Sequence, residues 1–268
     1  MSHKALAFIR RDLQTQTSYR LDFFMRLADI LFSISAFYFI SQILGTAVNP
    51  YLQRYSQDYF HFVLVGIAFR PFVSLSADSL SKAVRQYQQN GTLEMLFISP
   101  TPILSTMIMS TLWDYCWAWG KSLFYLSAAG LIFRARLDWA NISSALLIVV
   151  LTILANTGLG LMNVSFVLVT KRASPLIHLL ALVTNLLAGV YFPVEVLPDW
   201  LRFFSRLLPA TWSFDALRRT MLQGASLVEV GRNLLTLVGF TAVLLPIGLV
   251  AFHCAVRWAK MDGSLSQY

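Results

Sequence analysis

Apolar residues run almost unbroken through six stretches of the chain, at 27–44, 59–80, 103–133, 142–169, 176–192 and 234–256, with short polar segments between them. An α-helix rises about 1.5 Å per residue and the hydrocarbon core of a bilayer is about 30 Å thick, so about 20 apolar residues cross it. Each stretch is near that length and predicts a transmembrane helix. The third and fourth exceed it, which predicts tilt or an end that protrudes from the bilayer. No segment between them is long enough to build a core of its own. The expected architecture is therefore an all-α polytopic membrane protein of six spans, a single domain over residues 1–268.

Composition agrees. Hydrophobic residues make up 57% of the chain and charged residues 13%, and the mean hydropathy is +0.62, where soluble domains carry about 25% charged residues. The net charge of +8 comes from cations set beside apolar runs rather than in a solvated stripe interleaved with aromatics. That placement points to membrane lipid as the partner surface and away from nucleic acid. The two cysteines, Cys116 and Cys254, lie in apolar stretches and suggest inert buried thiols, with neither a disulfide framework nor a metal site. Lys4, Arg10, Arg11, Arg20, Arg26, Lys82, Arg85, Lys171, Arg172, Arg257 and Lys260 would share one side if both termini are cytoplasmic. The positive-inside tendency favours that orientation in a cytoplasmic (inner) membrane. Arg202, Arg206, Arg218, Arg219 and Arg232 run against it.

Residues 1–26 do not have the proportions of a secretion signal. Leu6, Ile9 and Leu13 share one helical face, with Lys4, Arg10, Arg11 and Gln14 elsewhere, the pattern of an amphipathic helix lying in the membrane interface.

Two further segments break the alternation of span and loop. Residues 82–102 are polar, hold Gly91 as a helix break, and end in the cluster Ser99-Pro100-Thr101-Pro102, which a helix cannot cross. They predict a short helix and turn hung outside the bilayer. Residues 193–224 contain Pro193, Pro198 and Pro209, with Trp200, Leu201, Phe203, Phe204, Leu207 and Leu208 between the prolines. Here Pro209 is expected to form a corner, residues 213–222 a second short helix, and Asp215 its first turn, with Arg218 one turn on. Tyr191, Trp200 and Trp212 suit an interfacial aromatic belt.

These two segments carry a resemblance. Gln89-Asn90-Gly91-Thr92-Leu93-Glu94-Met95-Leu96 followed by Ser99-Pro100 resembles the cytoplasmic loop of ABC type-2 transporter permeases, and so does the later series Gly189, Phe192-Pro193, Leu197-Pro198, Leu208-Pro209, Thr211, Asp215-Ala216-Leu217-Arg218 and Gly224. Pro209-Ala210-Thr211 and Asp215 are conservative departures from that family's usual Pro-Leu-Thr and Glu. The resemblance implies a coupling helix at Arg85, Gln89, Gly91, Thr92 and Glu94 that docks on an ATP-binding-cassette ATPase. It also implies a re-entrant helix pair between spans five and six, gating the route through Pro193, Pro198, Trp200, Pro209, Asp215 and Arg218. The implied partners are two copies of the ATPase and a second permease chain, as a homodimer. ATP and Mg would belong to the ATPase, with no cofactor on this chain and no catalytic residues. The implied function is the membrane subunit of an exporter of an amphiphilic, drug-like or lipid-linked substrate.

Charges within the spans cost several kcal/mol unless paired or wetted. Among them are Arg70 and Asp78 on the second, and Asp114 and Lys121 on the third. Counted from the cytoplasmic ends, Arg70 and Asp114 fall at similar depth, and an ion pair is expected. Asn156 and Asn163 on the fourth span suit interhelical packing. The chain has no Gly-x-x-x-x-Gly-Lys-Ser/Thr phosphate loop, no His-Glu-x-x-His and no Gly-x-Ser-x-Gly, which disfavours an ATPase or an intramembrane enzyme. An ion-gradient transporter would call for paired internal repeats, which are not evident. A non-transporting signalling or scaffold subunit could share the fold.

Overall fold

A computed structural model describes residues 20–44, 52, 55, 58–92, 95, 102–135, 137–170 and 182–261, except the side chains of 20 and 22. Four long helices open the chain: α1 (Arg20–Leu44), α2 (Tyr59–Gln89), α3 (Ile103–Ile132) and α4 (Ile142–Thr170). A helical stretch at 182–187 and a 3-10 turn at Val194–Val196 lead to two short helices, α5 (Asp199–Arg206) and α6 (Pro209–Gln223). The last helix is α7 (Gly231–Met261). Within the described residues the protein is all helix, turn and loop.

Among these, α2, α4, α7 and the Phe23–Leu44 part of α1 are long and apolar enough to cross a membrane. This is a multi-pass membrane architecture. Helix α3 is 30 residues long, about 45 Å at 1.5 Å per residue, but Asp114, Lys121 and several tryptophan and tyrosine rings dilute its apolar run. The first six residues of the expected fifth span, 176–181, lie outside the described residues, as does the leader at 1–19.

The helix ends differ from expectation in three places. Residues 20–26 continue α1 rather than belonging to a separate interface helix. Residues 82–89, expected as a separate short helix, are the last two turns of the 31-residue α2, which carries Pro71 in its interior, because residues 82–90 hold neither glycine nor proline to end the helix before Gly91. The fifth apolar stretch was expected to run to 192, but its helix stops at 187 and the chain turns at 188–190, where Gly189 takes φ 75°.

Helix α2 is the hub. It packs on α1, α3, α4 and α6, while α4 lies between α2 and α7. Small residues set these distances. A Cβ on Gly160 of α4 would run into the Ser76 carbonyl oxygen of α2, and one on Gly158 would lie 2.5 Å from the backbone of Leu244 on α7. The core runs from Phe62, Phe72 and Ile148 to Phe214, Leu217 and Met221, all nearly inaccessible. Cys116 and Cys254 are exposed rather than buried, placed on the outward faces of α3 and α7. The end of the bundle at which α1 finishes and α2, α4 and α7 begin is called the upper end below; α5 and α6 lie there, and Gly91 marks the lower.

Candidate functional site

Pro209 opens α6 at its first position, where its missing N–H costs nothing. The helix therefore starts four residues before the expected 213, which moves Asp215 out of the first turn. Ser213, Phe214, Leu217, Arg218 and Met221 share its buried face, so Arg218 is driven into the core by the apolar residues around it. It is 2% exposed. Its Nε donates to the Phe62 carbonyl at 3.1 Å, and one terminal nitrogen donates to the carbonyls of Gly189 and Val190 at 2.7 and 3.0 Å. The guanidinium carbon lies 3.5 Å from the centre of the Phe62 ring, a cation–π contact. Burial draws its pKa down to about 10, which still leaves it cationic at neutral pH. Gly66 makes room for this contact, since a Cβ there would meet the Val190 carbonyl.

Asp215 faces outward from the same helix. It accepts from the Tyr55 hydroxyl at 2.5 Å and from the Asn233 amide at 2.7 Å, so α6 is tied to the segment before α2 and to the start of α7. Burial first, and the Asp215 charge second, push the Tyr55 pKa above its ordinary value. The corner between α5 and α6 is closed by the Thr211 hydroxyl donating to the Ser205 carbonyl, the Ser205 hydroxyl to the Leu187 carbonyl, both at 2.6 Å, and the Trp212 ring nitrogen to Arg206. Pro193 precedes the 3-10 turn and Pro198 precedes α5. Arg202 pairs with Asp199 at 3.2 Å and donates to the Glu195 and Leu197 carbonyls. Trp200, Phe203, Phe204 and Leu207 remain exposed, an apolar face on a two-turn helix.

At the lower end α2 stops in a Schellman turn. The Thr92 N–H bonds the Tyr87 carbonyl and the Gly91 N–H that of Gln88, each at 3.0 Å, with Gly91 at φ 64°. Gln89 is exposed at the last position of the helix. Arg85 sits one turn above, and its Nε and one terminal nitrogen are buried with no hydrogen-bond partner among the described residues. Glu94 lies outside the described residues.

Between the two ends, Arg70, Asp78, Asp114 and Lys121 separate into two settings. Asp78 belongs to a polar seam, where the Asn163 amide reaches the Ala77 carbonyl at 3.2 Å and Asp78 at 3.5 Å, and Tyr115 donates to Ser76 at 3.2 Å. Asn156 bonds back to Thr152 on its own helix. Arg70, Asp114 and Lys121 line a cleft of ≈ 460 Å³ between α1, α2 and α3, along with Arg26 and Tyr191. The expected Arg70–Asp114 ion pair gives way to hydrogen bonds from Arg70 to Asn185 at 3.2 Å and to the Tyr191 hydroxyl at 2.9 Å. The physical reason is the length of α2. Arg70 is eleven residues from the upper end of its helix and Asp114 eighteen from the upper end of α3, about 10 Å of axial offset. Tyr191 thus reaches the cleft with its hydroxyl on Arg70.

Sequence reasoning missed Tyr55 and Asn233, whose signals are single polar residues far from Asp215 in the chain. It also read Arg218 as a near neighbour of Asp215 rather than as a core anchor; its place among Phe214, Leu217 and Met221 on one face was the available sign.

Comparison with known proteins adds the following. Residues 6–222 match the ABC-2 type transporter family. Over 117 residues the chain is 24% identical to the linearmycin resistance permease protein LnrN of Bacillus subtilis (strain 168). That match takes in 44% of this chain and 30% of the length of that protein.

Proposed function

Because this chain belongs to the ABC-2 type transporter family, we propose that it is the membrane-spanning subunit of an ATP-driven exporter, with six spans and both termini in the cytoplasm. It would work as a homodimer on two ATPase chains, and carry an amphiphilic, drug-like or lipid-linked substrate outward across the cytoplasmic membrane. In this reading the lower end is cytoplasmic. Arg85, Gln89, Gly91, Thr92 and Glu94 meet the ATPase, and α5 with α6 forms the re-entrant gate at the outer face.

The observation that carries the reading is the continuity of α2. One helix runs from the Gly91 turn to the Phe62 carbonyl that Arg218 holds. A displacement applied at the lower turn reaches the gate through a helix about 46 Å long, not through a chain of loops. Closure of the ATPase pair would push the lower turn, tilt α2 against α4 at the Ser76–Gly160 contact, and drag α6 through Arg218. The tie from Asp215 to Tyr55 and Asn233 keeps α6 moving with its neighbours as one body.

Reconstitution of the full chain with the ATPase it retains on purification tests this. ATP-dependent loss of a fluorescent amphiphile from one leaflet is the expected result, reduced by Gly91→Val without loss of membrane insertion. Normal ATP-driven movement by that variant would remove the coupling role of the turn.

A further inference from the structure

The cleft between α1, α2 and α3 is walled by cations at two levels. Arg70 and Lys121 each stand eleven residues below the upper end of their helices, and Arg26 and Asp114 each stand eighteen below theirs. At 1.5 Å per residue these levels are about 17 and about 27 Å down, both within the depth of a bilayer. Asp29 acts on Lys121 from α1, and Arg70 opposes it as a like charge. Three cations against two carboxylates leave one positive charge in excess. The Arg70 guanidinium bonds only neutral groups among the described residues, Asn185 and Tyr191. Two like charges at one depth in a low-dielectric setting raise each other's energy, and an anion held between them lowers it.

The remaining walls suit an amphiphile. Trp117 lies beside Arg26 and Tyr125 beside Lys121, at 5.6 and 5.9 Å from cation to ring centre. Helix α1 carries Phe24 and Phe32 exposed, so a chain attached to a head group in the cleft has apolar surface to lie on. A cleft of ≈ 460 Å³ takes a head group but not a two-chain lipid. We propose that this cleft binds the anionic head group, phosphate or carboxylate, of a membrane amphiphile between Arg70 and Lys121, with its tail left in the bilayer. As a statement about what the exporter carries, the inference rests on the proposed function; as a binding site it does not.

Native mass spectrometry of the full chain in mild detergent tests it without ATP. The probes are dioleoyl phosphatidic acid and oleate, for the two sources of charge, with dioleoyl phosphatidylcholine as the reference. At least one anionic probe should be retained about tenfold more than the reference, and Lys121→Gln and Arg70→Gln should each weaken that retention about tenfold, the effect of losing a charge-assisted hydrogen bond. Retention of phosphatidic acid alone identifies a phosphate site, and retention of both probes a general anion site. Arg70→Lys, which keeps the charge, should recover most of the retention and separates binding from any loss of folding in Arg70→Gln. Equal retention of all three lipids, or unchanged anion retention in Lys121→Gln, overturns the proposal. Binding here with no ATP-driven transport by the reconstituted complex would instead count against the exporter reading and leave the site standing.

Discussion

Replacing Arg218 with alanine takes three hydrogen bonds from the core at once. Those at Gly189 and Val190 hold carbonyls of buried residues in a turn, where an unsatisfied acceptor costs about 1–3 kcal/mol. The third, at Phe62, sits on α2 beside the ring that the guanidinium covers, worth about 1–2 kcal/mol more when desolvated. Against these stands the cost of burying a charge, visible in the pKa drawn down to about 10. The net loss should be about 2–4 kcal/mol, the carbonyls left without a donor and the lost ring contact less that cost. Arg218→Lys should recover only a minor part, because one ammonium cannot span three acceptors on two segments. Gly66→Ala presses on the same place from the other side, through the Val190 carbonyl, so the double variant should lose less than the sum of the two singles. Pulse proteolysis of the purified chain in detergent with increasing urea reads the wild type and all four variants. An Arg218→Ala variant within about 0.5 kcal/mol of wild type, or strict additivity with Gly66→Ala, would refute the idea that this side chain pins α6 to α2.

The other predictions concern separate parts of the fold. Tyr55→Phe should cost about 1–3 kcal/mol, the value of a hydrogen bond to a charged group. The folded pKa of Tyr55 is raised, so its contribution is complete below pH about 10, the unfolded value, and is lost as pH rises further; the stability difference between wild type and Tyr55→Phe should narrow in that window in a denaturation series. At Gly91 a Cβ would meet nothing within 4 Å, so Gly91→Val isolates the left-handed backbone, at about 1–2 kcal/mol, and should reduce ATP-coupled export while the protein still inserts. Substituting Pro209 should leave the ATPase bound in a pull-down and impair export, since the residue shapes only the α5–α6 corner; loss of the ATPase would contradict that division.

Much of the fold was legible because bilayer length and helix breakers act locally. The starts of α3 and α4 follow from where the apolar runs begin, and the end of α2 from Gly91. What escaped depended on side chains meeting across the chain. Residues 82–89 are polar enough to suggest a detached element, yet polarity alone does not break a helix, and only a glycine in a left-handed turn did. Asp215 and Arg218 are three apart on α6 and suggested a local pair, but one faces Tyr55 and Asn233 and the other three carbonyls. Depth counted from apolar boundaries placed Arg70 beside Asp114, whereas depth counted along the whole of α2 places it level with Lys121. The resemblance in the Gly91 and Pro209 segments supplied the family where periodicity could supply only helices.

The central claim is that this chain works as the membrane half of an ATP-driven exporter. It is tested most directly by isolating the tagged full chain from its native membrane in mild detergent and identifying by mass spectrometry what stays bound. The account predicts a subunit with a phosphate-binding Walker motif in about equal amount, released by changes at the lower turn. A chain that purifies alone and moves solute across liposomes without ATP would contradict it.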